Sequence, residues 1–368
     1  MKLNIIRTLS TVVAICLLLS NPSNACTGIT LKSQDGAVVF GRTLEWGSFD
    51  LNSRVVVIPR GHKFEALTPD GIAGLIWTAT YGLVGLDAVE KDFIVDGMNE
   101  QGLSVNVFYH PGYAEYPEYD SAQAALTMSS LDVCQYLLTT CATVEDVRKA
   151  LAAVRVVGVI EPTLGLAPPI HLIVTAPSGK AIVIEFLKGD VQIYDAPLGV
   201  ITNAPDYDWH ITNLRNYLNL SPVALPSKKI EDLNFTPLGG GTGMIGLPGD
   251  FTPPSRFVRA VAFAKTARPT GSGDETIYEV FRILDNFNIP LGAAEGEGES
   301  KVKGLRSATL WTTAYDTRNL IMQYHTMHNR RIRQIDLKKI DFATQNQMVR
   351  LPLDQDKSQD ILDITLRR

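Results

Sequence analysis

The chain has 368 residues, 45% hydrophobic and 20% charged, with a formal net charge of −5 and a pI near 5.7. This is enough apolar material for one large or two modest domains, and it excludes disordered and fibrous classes. Acids and bases are interspersed without a lysine or arginine run, which argues against a phosphate-tracking surface and against nucleic acid as a partner.

Lys2 and Arg7 give a positive start, LSTVVAICLLLS (residues 9–20) is an apolar run too short to span a bilayer comfortably, and Ser23 and Ala25 put small residues at −3 and −1 of a cut before Cys26. Residues 1–25 therefore read as a cleaved export signal, leaving 26–368 as one periplasmic or secreted catalytic domain. A membrane anchor calls for a longer run, and a lipid-modified cysteine for apolar and small residues where Ser23 and Asn24 stand. No later stretch approaches a transmembrane span, so no membrane contact is expected after the cut. Losing Lys2 and Arg7 leaves 32 bases against 39 acids, a net charge of about −7. Losing Cys16 leaves three cysteines, with Cys26 as residue one. Cys134 and Cys141 lie in a largely helical pattern that holds them about 10 Å apart, too far for a disulfide, and read as buried free thiols.

In chain order, CTGITLKS and AVVFGRTLEW form two strands around an Asp35-Gly36 turn. RVVVIPR (residues 54–60) and the hairpin FIVDGMNEQGLSVNVFY (93–109) follow. Apolar residues at three and four spacing predict helices in SAQAALTMSSLDVCQYLL and in TVEDVRKALAAV, the second capped by Thr143. Strands return in IHLIVTA, KAIVIEFL and DVQIYD. A helix at DWHITNLRNYL, a Gly/Pro-rich loop (236–257), helices over 256–267 and 275–287, and a hairpin ATLWTTAYDTRNLIMQYHTM complete the order. GEGESKVKG (296–304) reads as an exposed loop. Runs of strands followed by runs of helices predict an α+β domain of antiparallel sheets covered by helices.

Cys26 is the sharpest chemical signal. After the cut it offers a thiol of reference pKa about 8.5 and an α-amino group of about 7.7 to 8.0, a nucleophile and a base on one residue. Arg42, on the second strand of the first hairpin, is placed to favour the thiolate. Glu45, three residues on, is placed to orient that arginine or hold the terminal ammonium. Alone, Arg42 and Glu45 read as an exposed strand-end pair, and Asn203-Ala204-Pro205 as a strand-ending turn.

CTGITL, GAVVFGRTLEW, DGMNEQGLSVNVFY, VITNAPDYDWHITNLRNY, GGGTGMIGLPGDFTPPSRFVRA and LRSATLWTTAYD occur in order and together resemble the choloylglycine hydrolase family, which contains conjugated bile acid hydrolases and penicillin V acylases. The resemblance runs from Cys26 to about His328. It implies a four-layer αββα N-terminal-nucleophile sandwich, hydrolysis of a non-peptide amide C–N bond, and no cofactor. Residue by residue it implies Cys26 as nucleophile, Arg42 beside it, Asn203 as donor to the tetrahedral oxyanion, and Arg256 as a second arginine near the nucleophile. Glu45 stands where many members carry aspartate. Tyr109 matches the position where bile acid hydrolases commonly carry asparagine and penicillin V acylases tyrosine, which tilts the expected substrate toward the acylases. The partner expected is a small-molecule N-acyl amide, and homo-oligomers are frequent in the family.

Other features carry less. GGGTGMIGLPG lacks the Gly-Lys-Ser/Thr of a phosphate loop and reads as a loop crossing the site. With six histidines, no HExxH, and His325 and His328 on opposite faces of a strand, no metal site is expected. No G-x-S-x-G supports a serine hydrolase. Trp46, Trp77, Tyr109, Tyr113, Tyr116 and Tyr119 read as core or loop aromatics, among which Trp46, Trp77 and Tyr113 are candidates for the wall of an acyl pocket. The function expected is that of an exported penicillin V acylase, extending to N-acyl homoserine lactones. A conjugated bile acid hydrolase is the alternative within the class, and a non-catalytic binding protein on the same fold the alternative outside it.

Overall fold

A computed structural model describes residues 25–294, 305–345 and 347–365. The expected export signal, apart from Ala25, and the loop expected at 296–304 lie outside the described residues. Fourteen strands form two large sheets. The amino-terminal half contributes Thr27–Lys32 (β1), Val38–Glu45 (β2), Arg54–Ile58 (β3), Leu83–Ala88 (β4), Lys91–Asn99 (β5), Ser104–Tyr109 (β6) and Ile170–Thr175 (β7). Ala181–Leu187 (β8), Asp190–Asp195 (β9), Val200–Ile201 (β10), Thr309–Asp316 (β11), Ile321–Thr326 (β12), Arg333–Asp336 (β13) and Val349–Pro352 (β14) complete them. One sheet has the order β10-β1-β2-β11-β12-β13 and the other β9-β8-β7-β6-β5-β4-β3-β14, and every pairing within them is antiparallel. The predicted α+β sandwich is what the chain adopts.

The period-two alternation of side chains explains the layers. In RVVVI, Val55 and Val57 enter the core between the sheets while Val56 and Ile58 enter a second core under helices Val133–Thr140 (α1) and Val144–Ala152 (α2). Ile173 and Val183 face the first core, and Leu172, Val174, Ile182 and Ile184 the second. These strands are buried on both faces and so read as continuous apolar runs. Helices Pro253–Thr266 (α4) and Gly273–Leu284 (α5) cover the other sheet, after a short helix Tyr207–Asn213 (α3). Gly41 marks how closely α5 approaches: a Cβ there would meet Val280 Cγ1 at 2.3 Å. Thr143 caps α2 in a full capping box with Asp146, as its sequence predicts.

One predicted helix breaks up. Of the segment 121–138, Ser121–Leu126 is a 3₁₀ turn, Thr127–Ser129 is a strand, and only Val133–Thr140 is α-helical. Thr127–Ser129 pairs in parallel with Arg155–Val157, and the Asp132 carboxylate accepts from the Leu67 and Ser129 N–H groups. These long-range partners satisfy the backbone in an extended form that local periodicity does not reveal. Cys134 and Cys141 are buried free thiols, as expected.

Candidate active site

The site lies at one end of the sandwich, where β1 and β2 face the end of β6. Thr27 pairs with Thr43 and Gly28 with Arg42, so Arg42 and Cys26 share a face of the first hairpin. The Arg42 guanidinium is fully buried and bridges the sheets. It donates through Nη1 to Val107 O and through Nε to Thr43 O at 3.2 Å, and stands 4.2 Å from the Phe108 ring centroid. Its cost of desolvation is offset by these contacts and by Asp96, whose carboxyl burial pushes up to about 7 while Arg42 pulls it down.

Asn203 joins the remaining parts. It follows β10, and its Oδ1 accepts from Cys26 N at 2.7 Å and from Arg256 Nη2 at 2.7 Å, while its Nδ2 donates to Tyr109 O at 2.7 Å. Arginine has no acceptor and a carbonyl no hydrogen, so these partners fix which end of the amide is which. One Nδ2 hydrogen is used by Tyr109 and the other is left for a further acceptor. Arg256 sits one turn into α4, whose start is set by Pro253 and Pro254 with their helical φ. It also donates to Cys26 O, to Thr27 Oγ1 at 2.9 Å and to Phe251 O at 2.8 Å. Four hydrogen bonds thus lock a guanidinium that burial pushes down to about 10 and Glu45 pulls back up.

Burial pushes the Cys26 thiol up, while Arg42, a backbone hydrogen bond from Glu45 and Arg256 pull it down and the Glu45 charge adds to the rise. Glu45 corrects one expectation. Alternation sends it to the face opposite Arg42, and its Oε1 accepts from Thr309 Oγ1 at 2.9 Å, so it does not orient that arginine. Its Oε2 has no partner among the described residues, and burial raises it to about 7 against the pull of Arg256 first.

Beside Cys26 a narrow apolar cavity of roughly 100 Å³ is lined by Leu44, Trp46, Val95, Val107, Tyr109 and Leu164, among others. Trp46 meets Tyr109 edge to face at 5.7 Å. Glu161, which the sequence did not single out, joins Arg42 and Glu45 as a polar member of the wall: Oε2 accepts from Leu164 N at 2.8 Å and Oε1 is bare among the described residues. Two expected wall residues lie elsewhere. Trp77 belongs to the core under α1, stacked on Phe64 at 4.7 Å with its indole donating to Thr139 at 3.0 Å, because its strand Ile76–Thr78 pairs with Lys63–Glu65 away from the site. Tyr113 is exposed and stacks on His110. The glycine-rich loop contributes nothing to the cavity wall. It lies on the surface, held where Arg259 Nη1 donates to Pro248 O at 2.8 Å.

His110, His171 and Glu185 bring three ligand-type atoms within 4.8 Å of one another. The two imidazoles are parallel within 2° at 4.1 Å. Imidazole lone pairs lie in the ring planes, and parallel planes do not meet at one ion, so this trio does not fit a metal.

The family model of linear amide C–N hydrolases, choloylglycine hydrolase family, matches residues 26–350. The chain belongs to the choloylglycine hydrolase family. It is 32% identical over 319 residues to the bile salt hydrolase/transferase of Clostridium perfringens, covering 85% of this chain and 93% of that one. It is 26% identical over 327 residues to the penicillin V acylase of Pectobacterium atrosepticum, with coverage of 83% and 78%. A crystal structure of a mutant conjugated bile acid hydrolase from Clostridium perfringens superposes with a TM-score of 0.79 at 28% identity, covering 92% and 100% of the two chains. As a choloylglycine hydrolase relative, the chain is a hydrolase of linear amide C–N bonds. No helix among its described residues is long and apolar enough to cross a membrane.

Proposed function

We propose that this choloylglycine hydrolase relative is exported to the periplasm or beyond, is cut before Cys26, and acts as a penicillin V acylase-type amidohydrolase that also takes N-acyl homoserine lactones. In this reading Cys26 Sγ attacks the amide carbonyl carbon. Because burial holds the thiol up, the attack needs a base, and the freed α-amino group of Cys26 takes the thiol proton and passes it to the leaving amine. Water then cleaves the thioester with the same amine as base. The free hydrogen of Asn203 Nδ2 and a backbone N–H near Tyr109 supply the donors toward the tetrahedral oxyanion. Arg42 and Arg256 favour the sulfur anion that leaves in the second step, and the bare Glu45 Oε2 supplies an acceptor for the terminal ammonium.

The observation that carries the substrate choice is the small volume and apolar lining of the cavity beside Cys26. An apolar cavity of about 150 Å³ accommodates benzene. The site walled by Trp46 and Tyr109, roughly 100 Å³ and open on one side, is smaller than that, so it takes the leading edge of an aryl group or a linear acyl end, and a fused steroid would need the wall to move. The relationship at 32% identity favours the second reading, a conjugated bile acid hydrolase. Parallel assays of a phenoxyacetyl amide, an N-acyl homoserine lactone and a glycine-conjugated bile acid, on wild type and Cys26→Ser, separate the two. Fastest turnover of the bile conjugate would overturn the acylase reading.

A further inference from the structure

Behind Asn203, on the side away from the cavity, the protein buries His110, His171, Glu185 and His210. They touch the backbone of the segment that presents the Asn203 amide. His171 Nε2 lies 2.9 Å from Thr202 O, His210 Nε2 lies 2.9 Å from Asn203 O, and Tyr207 N donates to Glu185 Oε1 at 2.9 Å. A carbonyl oxygen only accepts, so His171 and His210 each carry a hydrogen on Nε2. That leaves His171 Nδ1 pointing at Glu185 Oε1 at 3.1 Å. Two lone pairs at that distance repel, and one hydrogen must lie between them.

We propose that Glu185 and His171 share a single buried proton as a net-neutral pair, and that Glu185 is thereby a positioning residue that fixes the Asn203 amide for the oxyanion. The hydrogen sits on Oε1, which accepts from Tyr207 N–H and donates to His171 Nδ1; shifting it to Nδ1 leaves the pair equally neutral and the backbone clamps unchanged. Removing it forces a choice. Either Nδ1 faces a carboxylate lone pair, or His171 moves its hydrogen to Nδ1 and presents a lone pair to Thr202 O, next to Asn203. His110 Nε2 stands 3.8 Å from Glu185 Oε1, beyond hydrogen-bond reach, and Glu185 Oε2 has no hydrogen-bond partner among the described residues, so the surroundings offer a separated charge little solvation. Burial accordingly pushes Glu185 up to about 7 and His171 down to about 3. The groups that bear on the pair are His110, Asp206, Asp208, Tyr194 and Tyr207 on Glu185, and Arg42 and His210 on His171.

The inference rests on the proposed role of Asn203, and its test has one arm that needs no substrate. In that arm, NMR of the whole ¹⁵N-histidine-labelled protein should show His171 protonated on Nε2 and a downfield hydrogen-bonded proton bridging Nδ1 and Glu185, absent in Glu185→Gln. A glutamine amide cannot both donate to Nδ1 and accept from Tyr207 N–H at the one position. In the second arm, Glu185→Gln should lower kcat by about 10- to 100-fold, the scale of an ångström-sized misplacement, with KM within about threefold and the denaturation midpoint little changed. Wild-type kcat in Glu185→Gln, an equal loss in kcat and stability, a missing bridging proton, or one equivalent of divalent metal in the purified wild type would each overturn it. A wild type that hydrolyses none of the three amides would remove the proposed function and leave the NMR arm to judge the pair.

Discussion

Asn203→Asp isolates the donor role of this side chain from its structural one. Asn203 makes three hydrogen bonds, each 2.7 Å long and two of them fully buried: Oδ1 accepts from Cys26 N and Arg256 Nη2, and Nδ2 donates to Tyr109 O. Asn203→Ala strips all three, leaving the buried Cys26 N–H, a buried guanidinium N–H and the half-buried Tyr109 carbonyl unpaired, at about 1–3 kcal/mol for each group and more for the charged one. The loss of stability should therefore be about 3–5 kcal/mol. Asn203→Asp keeps both acceptor contacts and sets its second oxygen against Tyr109 O, where it takes up a proton and donates it to that carbonyl, which leaves no hydrogen for an oxyanion. Its urea midpoint should lie much nearer wild type than that of the alanine variant. Its kcat should still fall about 10²–10³-fold, the usual effect of deleting one oxyanion donor. Turnover of a phenoxyacetyl amide and urea denaturation, run side by side on both variants, check this. An aspartate variant within tenfold of wild-type kcat would refute the assignment of Asn203 as the donor.

Asp96 is pushed up to about 7 from 3.8 by burial, so between those values the native state holds a proton that the unfolded chain has released, and stability falls as pH rises through the window. A gap of that size corresponds to about 4 kcal/mol, and Asp96→Asn should remove about that much of the difference between unfolding free energies at pH 4 and pH 8, Glu45, Glu185 and Asp132 contributing in the same direction and remaining in the variant. Tyr109→Asn removes the edge-to-face contact with Trp46, worth about 0.5–1.5 kcal/mol, and widens the cavity. It should lower kcat/KM for the phenoxyacetyl amide by about 3- to 10-fold and raise the ratio for a bile conjugate over that amide. A chain that keeps Ala25 ahead of Cys26 should lose about 10²–10⁴-fold in kcat, the worth of a general base, while its thiol still reacts with iodoacetamide.

The local part of the site is legible in the sequence. The Asp35-Gly36 turn sets the register of one hairpin, and that register puts Arg42 beside Cys26. The two sheets are legible for the same reason, since period two and turn residues are local properties. Asn203 and Arg256 are different: they meet Cys26 across 177 and 230 residues, and no spacing rule reaches that far. Ordered motif blocks supplied them. Trp77 and Tyr113 were misplaced because nearness in sequence does not say which side of a sheet a loop falls on. His110, His171, Glu185 and His210 come from four separate stretches, and each alone resembles a core residue. Glu161 offers no signal at all until the 161–166 bridge turns its carboxylate onto the cavity.

The geometry around Cys26 also states what its nitrogen can do before and after a cut. As a peptide nitrogen it has one hydrogen, which Asn203 Oδ1 takes, and its lone pair is delocalised into the amide and is no base. A free amine at the same place keeps that hydrogen bond and gains a lone pair within reach of its own sulfur. In its ammonium form it has two further hydrogens, and the bare Glu45 Oε2 is buried in the same cavity wall. Ala25 meanwhile packs into a small apolar nest of Phe251, Ile289, Ala294 and Ala308, which its departure would open beside the new terminus. An acceptor without a partner in the uncut chain is what a terminal ammonium would use, and the nest would stand empty once Ala25 had gone.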